Sequence, residues 1–113
     1  MERYFRNQLK KNPSYYYAFQ LDVKELITNI FWADPRMVID YNHFSDVVTF
    51  DITYNTNRDA RPLGVFLRLN HHRETVIFGA ALLYDETIES FVWLFETFLE
   101  AMSRKKPITI FTD

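Results

Sequence analysis

The alternation of apolar and polar positions divides the chain into segments of two periods. In residues 2–11, Phe5 and Leu9 stand four apart among charged neighbours, which predicts a short helix ended by Asn12-Pro13. The run Tyr15-Tyr16-Tyr17-Ala18-Phe19-Gln20-Leu21 reads as a strand, and Leu26 to Ala33 as its hairpin partner across a turn at 22–25. Asp34-Pro35 then supplies a capping side chain followed by a proline at the first helical position. Val38, Tyr41 and Phe44 follow at helical spacing, so a helix of about ten residues ends near Ser45.

Residues 46–54 (DVVTFDITY) are rich in β-branched and aromatic side chains and predict a strand, and 55–62 form the clearest polar loop. Leu63 to Asn70 and Thr75 to Leu83 are two more strands, joined by His71-His72-Arg73-Glu74, so three antiparallel strands in a meander are expected. From Thr87 to Met102 the residues Phe91, Leu94, Phe95, Phe98, Leu99 and Met102 trace one face of a long helix. Acids stand before it and Arg104-Lys105-Lys106 after it, complementing its dipole. Residues 107–113 alternate toward a last strand. Because right-handed crossovers pack best, that strand is expected parallel to and beside 46–54. The class is mixed α/β around one sheet: residues 1–45 lead, as helix, hairpin and helix, into a core at 46–113, the whole forming one compact unit.

Composition narrows the function. The chain has 113 residues, 48% hydrophobic and 18% aromatic, with only two Gly and four Pro, which suits one globular domain with little linker. Thirteen Lys+Arg against fifteen Asp+Glu lack the basic excess of an autonomous nucleic-acid binder. No cysteine means no disulfide, no CxxC pair and no Cys-ligated zinc. No apolar run approaches the length of a membrane span, and no secretory signal is evident, so a soluble chain is expected.

Two acids, Asp51 and Asp113, sit in or at the end of apolar strands, where a carboxylate costs several kcal/mol unless paired, hydrogen-bonded or metal-bound. If their strands are parallel neighbours, both emerge near one sheet end, where hard oxygen ligands could share Mg²⁺. The plainer reading makes Asp51 a strand-end pairing residue and Asp113 a frayed terminus. His71 and His72 are adjacent, so on a strand they point to opposite faces and do not make a metal pair. Glu96 and Glu100 lie one turn apart and read as a solvated face, and Tyr15-Tyr16-Tyr17 reads as core rather than a base-stacking platform. Arg58, Arg61, Arg68, Arg73 and Arg104-Lys105-Lys106 are available to phosphate but read as helix-end and surface charge. No phosphate-binding glycine loop, GxSxG elbow or HExxH is present.

The ordered blocks Asn12-Pro13 with Tyr16-Tyr17-Ala18, 29–34 (NIFWAD), 44–54 (FSDVVTFDITY), Asn70-His71-His72, Asp85-Glu86-Thr87 and 91–97 (FVWLFET) resemble the Mutator-like (MULE) transposase domain over essentially the whole chain. They resemble most the plant far-red impaired response and far-red elongated hypocotyl family, domesticated relatives of those transposases. The resemblance implies a truncated ribonuclease H-like fold in which Asp51 matches the first catalytic acid and Asp113 the second, with Mg²⁺ as the metal of a full-length catalytic relative. The third acid, a glutamate on a later helix, is not in these residues. Neither are the fifth strand, the N-terminal zinc-dependent DNA-binding region or the SWIM zinc finger. The implied role is that of a non-catalytic, nuclear transcription regulator's core, making DNA contact only weakly or through other segments. The alternative is a fragment of a Mutator-like transposase that cleaves DNA with acid-bound Mg²⁺. Departures from the family pattern are Ile52, Leu67-Arg68-Leu69 and Ala80, of which Arg68 is the oddest, because it must face solvent or find an acid. Ending on a strand, the chain would leave an unpaired edge, so homo-association or partner binding there is expected.

Overall fold

Nine elements follow one another in the computed structural model, which describes residues 2–11, 15–53, 61–69, 74–107 and 109–112. They are α1 (Glu2–Lys11), β1 (Tyr16–Leu21), β2 (Ile27–Ala33), α2 (Pro35–Phe44), β3 (Val47–Thr53), β4 (Leu63–Leu69), β5 (Thr75–Leu82), α3 (Ile88–Ala101) and β6 (Thr109–Thr112). Every predicted helix and strand is present. The loop at 55–62 lies outside the described residues up to position 60, and the β4–β5 connection does so at 70–73.

Local chemistry sets the boundaries. Asp22 accepts the backbone N–H groups of Lys24 and Leu26 through Oδ1, which closes the β1–β2 turn. Asp34 caps α2 by accepting from Met37 N at 2.8 Å, with Pro35 in the first turn where its missing N–H costs nothing. Thr87 caps α3 by accepting from Ser90 N at 3.2 Å. The cation expected to complement α3 does otherwise: Lys105 Nζ donates to Asn42 O at 2.8 Å and serves the C-terminal carbonyls of α2. The reason is tertiary, since α2 and the residues after α3 end side by side. Tyr41 Oη, donating to Lys105 O at 2.6 Å, makes the same connection.

The sheet has six strands in the order β1-β2-β5-β4-β3-β6. All neighbours are antiparallel except β3 and β6, which run parallel with Val47 opposite Thr109 and Phe50 opposite Thr112. The meander β3-β4-β5 and the parallel return strand are as predicted. The hairpin joins them through β2, whose Phe31 pairs with Ala81.

Both α2 and α3 cover one sheet face, where the core is aromatic. Phe31, Phe66, Phe78, Phe98 and Tyr41 are at most 1% exposed, and Phe66 stacks on Phe98 with centroids 3.9 Å apart. Tyr41 meets Phe78 and Phe98 edge-on at 5.3 and 5.2 Å. A register shift after Phe66 inserts Phe78 as an extra residue opposite β4, which turns its ring under Tyr41 and leaves Ile77 exposed. Both glycines sit in strands for a packing reason. A Cβ on Gly64 would stand 2.8 Å from the Phe50 ring, and one on Gly79 would stand 2.9 Å from that of Phe31. On the opposite face, Ile30 with Tyr15, Tyr17, Phe19 and Trp32 makes a smaller cluster, so the tyrosine run is packed as expected.

Candidate functional site

Strands β3, β5 and β6 run in the same direction, so their C-terminal ends and the N-terminus of α3 gather at one end of the sheet. Asp51 lies two residues inside that end, on β3. Its neighbours Phe50 and Ile52 face the helices, so strand alternation turns Asp51 to the other face. There it is half-buried in a groove of about 430 Å³ lined by Thr49, Leu67, Leu69, Thr75, Phe111 and Thr112. Among the described residues the Asp51 carboxylate has no hydrogen-bond or ion-pair partner. Thr112 pairs with Phe50, which places the residues before Asp51 and before Asp113 side by side. Asp113 itself lies outside the described residues.

Among the described residues, Asp51 is the carboxylate in this groove. Asp51 is a suitable hard donor, but among the described residues no group of three or more His, Asp or Glu side chains could hold a metal. Glu86, which the sequence presents only as part of a helix start, lines a second cavity of about 330 Å³ with Phe50, Ile52, Phe91, Phe95 and Thr112 on the helix-bearing face. It stands at the same sheet end as Asp51, across the sheet.

Beside this end is a polar cluster that alternation alone does not reveal. Asn29, 1% exposed in the middle of β2, donates through Nδ2 to Gln20 Oε1 and to Ser90 Oγ, and accepts from Tyr84 N at 2.8 Å. Ser90 Oγ in turn donates to Asp85 Oδ1 at 3.0 Å. The Asp85 carboxyl is held below its usual pKa by the Thr87 side-chain hydrogen bond first, then by the Thr87 backbone N–H and Ser90. Arg61 adds hydrogen bonds from its guanidinium to Leu83 O and Thr28 O. The hairpin, the β5–α3 connection and the start of α3 are thereby tied into one unit. The available signal was a lone asparagine inside an apolar strand, which must be satisfied when buried.

The other sequence candidates are distributed elsewhere. Glu96 and Glu100 are exposed on α3, as expected. Arg68 finds its acid: its guanidinium pairs with Asp46 and also donates to Phe44 O at 3.0 Å. Arg104, Lys105 and Lys106 are exposed at the end of the sheet away from Asp51. His71, His72, Arg58 and Arg73 lie outside the described residues.

The meander, the long helix and the parallel return strand fall within the part of the chain that a family model recognises: the MULE transposase domain model matches residues 47–113. The chain belongs to the MULE transposase domain family. It is 44% identical over 110 residues to Protein FAR1-RELATED SEQUENCE 5 of Arabidopsis thaliana, covering 97% of this chain and 14% of that protein. Against Protein FAR-RED IMPAIRED RESPONSE 1 from the same plant it is again 44% identical over 110 residues, with 97% and 13% covered. Protein FAR1-RELATED SEQUENCE 4 is 38% identical over 104 residues, with 92% and 14% covered. This MULE chain thus spans about one seventh of the curated relatives it matches. No solved structure matches it. No helix among its described residues is long and apolar enough to cross a membrane.

Proposed function

We propose that this MULE domain is part of the non-catalytic core of a plant, nuclear transcription regulator domesticated from a Mutator-like transposase, with a ribonuclease H-like fold. The observation that carries the reading is the 44% identity over 97% of the chain to far-red-impaired-response relatives. The return of β6 parallel to β3 after a long helix agrees with the fold that the family implies. The composition supports an indirect relation to DNA: a net charge of −2 leaves phosphate affinity to other segments of such a protein. The domain needs no zinc and no resident cofactor, and works as a scaffold and partner surface. Tethering it to an unrelated DNA-binding domain at a reporter promoter tests this. Altered transcription that survives Asp51→Asn is the expected result, and an unaltered reporter with the fusion expressed would overturn it.

A second reading, that the chain is part of an active transposase, is favoured by one observation. Asp51 keeps a carboxylate for which no partner is found among the described residues, on the strand next to the one that leads toward Asp113. Titrating Mg²⁺ and Mn²⁺ into the wild type and Asp51→Asn separates the readings, because an ion bound only by the folded state raises the melting temperature through RT ln(1 + [L]/Kd). Metal-dependent stabilisation lost in the variant would support transposase chemistry, and its absence in a folded chain supports the regulator.

A further inference from the structure

We infer that a cavity at the end of the sheet opposite Asp51 is a binding site for a phosphomonoester dianion, held by Lys105, Lys106, His43 and the hydroxyl of Ser45. The ligand chemistry is that of free phosphate or of a phosphorylated side chain on a partner segment. This goes beyond the regulator reading and does not depend on it.

The site forms where α2 converges with the link from α3 to β6. His43, Ser45, Asp46, Lys105 and Lys106 line a cavity of about 390 Å³. That volume takes one phosphoryl group together with the side chain that carries it. Ser103 and Arg104 hold φ values of 56° and 65°, the left-handed region that non-glycine residues enter at a cost, and so turn the chain back after α3. Arg104 N donates to Leu99 O at 2.7 Å and Tyr41 Oη to Lys105 O at 2.6 Å, which fixes the two lysines beside the end of α2.

Two observations point to a ligand. Ser45 is 5% exposed, yet its hydroxyl has no hydrogen-bond partner among the described residues. No fully enclosed side-chain nitrogen or oxygen among those residues lacks a partner, so this hydroxyl opens into the cavity that Ser45 lines. A polar group so nearly buried is completed by one that enters the cavity. The second observation is available positive charge. Lys106 has no hydrogen-bond or ion-pair partner among the described residues, and Lys105 Nζ uses one of its three donors on Asn42 O. Asp46, the acid on the rim, is paired with Arg68. The two lysine charges are therefore uncompensated at the cavity, in a chain whose net charge is −2. A phosphomonoester, at about −1.5 to −2 near neutral pH, matches them. A nucleic-acid backbone offers one charge per phosphate and brings neighbouring phosphates that the acidic chain repels.

Amide NMR of the 113-residue chain tests the site, with titrations of inorganic phosphate, a short phosphoserine peptide, its unphosphorylated form and a short DNA duplex. Phosphate and the phosphopeptide should move the amides of residues 43–46 and 105–106 saturably, and the unphosphorylated peptide should not. Tighter binding of the phosphopeptide than of phosphate assigns the group to a partner segment, and equal binding assigns the free anion. Lys106→Gln and Ser45→Ala should each weaken binding about tenfold, the worth of one hydrogen bond to a charged group. Neither side chain has a partner among the described residues, so both variants should melt with the wild type, which separates lost binding from lost fold. Phosphate and phosphopeptide that leave these amides unmoved would overturn the inference. So would binding undiminished in both folded variants, or a duplex that moves these amides where phosphate and the phosphopeptide do not.

Discussion

Replacing Asn29 tests whether the sheet end around the candidate site is held by the buried polar cluster. Asn29→Ala removes the two Nδ2 donations, to Gln20 and Ser90, and the acceptor of Tyr84 N. Ser90 keeps Asp85 and Thr87 as partners, and Gln20 is only half-buried, so those two lose about 1 kcal/mol or less each. Tyr84 N is left facing a small void without an acceptor, at about 1–3 kcal/mol. The total is about 1–5 kcal/mol, which for a domain of this size lowers the melting temperature by about 4–20 °C. Asn29→Asp provides the internal check. It preserves the acceptor for Tyr84 but turns a carboxylate oxygen toward Gln20 Oε1 and brings negative charge near Asp85. It should be at least as damaging at neutral pH and recover as acid protonates the new carboxyl, which then donates. Denaturant and thermal unfolding of both variants measure this. An alanine variant within about 0.5 kcal/mol of wild type, the range of an ordinary surface substitution, would refute the role given to the cluster.

Gly79→Ala should cost about 1–3 kcal/mol by urea unfolding, because the new methyl meets a Phe31 ring that is itself wedged against Phe66 and Phe98 and has no room to turn. Tyr41 should make stability fall at high pH. Burial pushes its hydroxyl up to about 12 from its ordinary value of 10.0, so the stabilisation is complete below pH 10 and is lost as pH rises toward about 12. The loss is at most about 3 kcal/mol. The difference between wild type and Tyr41→Phe across that window isolates it, and a constant difference would contradict the assignment.

Most of the secondary structure was legible because each element carries its own local signal. Asp34-Pro35 caps and starts α2, Thr87 starts α3, and β-branched and aromatic alternation marks β3 to β5. Crossover handedness was enough to put the last strand parallel to β3. At the site, the sequence could single out Asp51 as an acid in an apolar strand, since desolvation makes such a residue conspicuous wherever the strand ends up.

What the chain order could not express was decided by contacts distant in sequence. The pairing of β2 with β5 depends on how two sheet edges meet, and the bulge at Phe78 depends on a core that must also hold Tyr41 and Phe98. Lys105 serves α2 rather than α3 only because the two helix ends converge. The same applies to Asn29, whose partners Tyr84 and Ser90 stand 55 and 61 residues away. Periodicity and capping act over a few residues and are written in composition and spacing. Side-chain partnership across a sheet depends on register and packing, which exist only once the chain has folded.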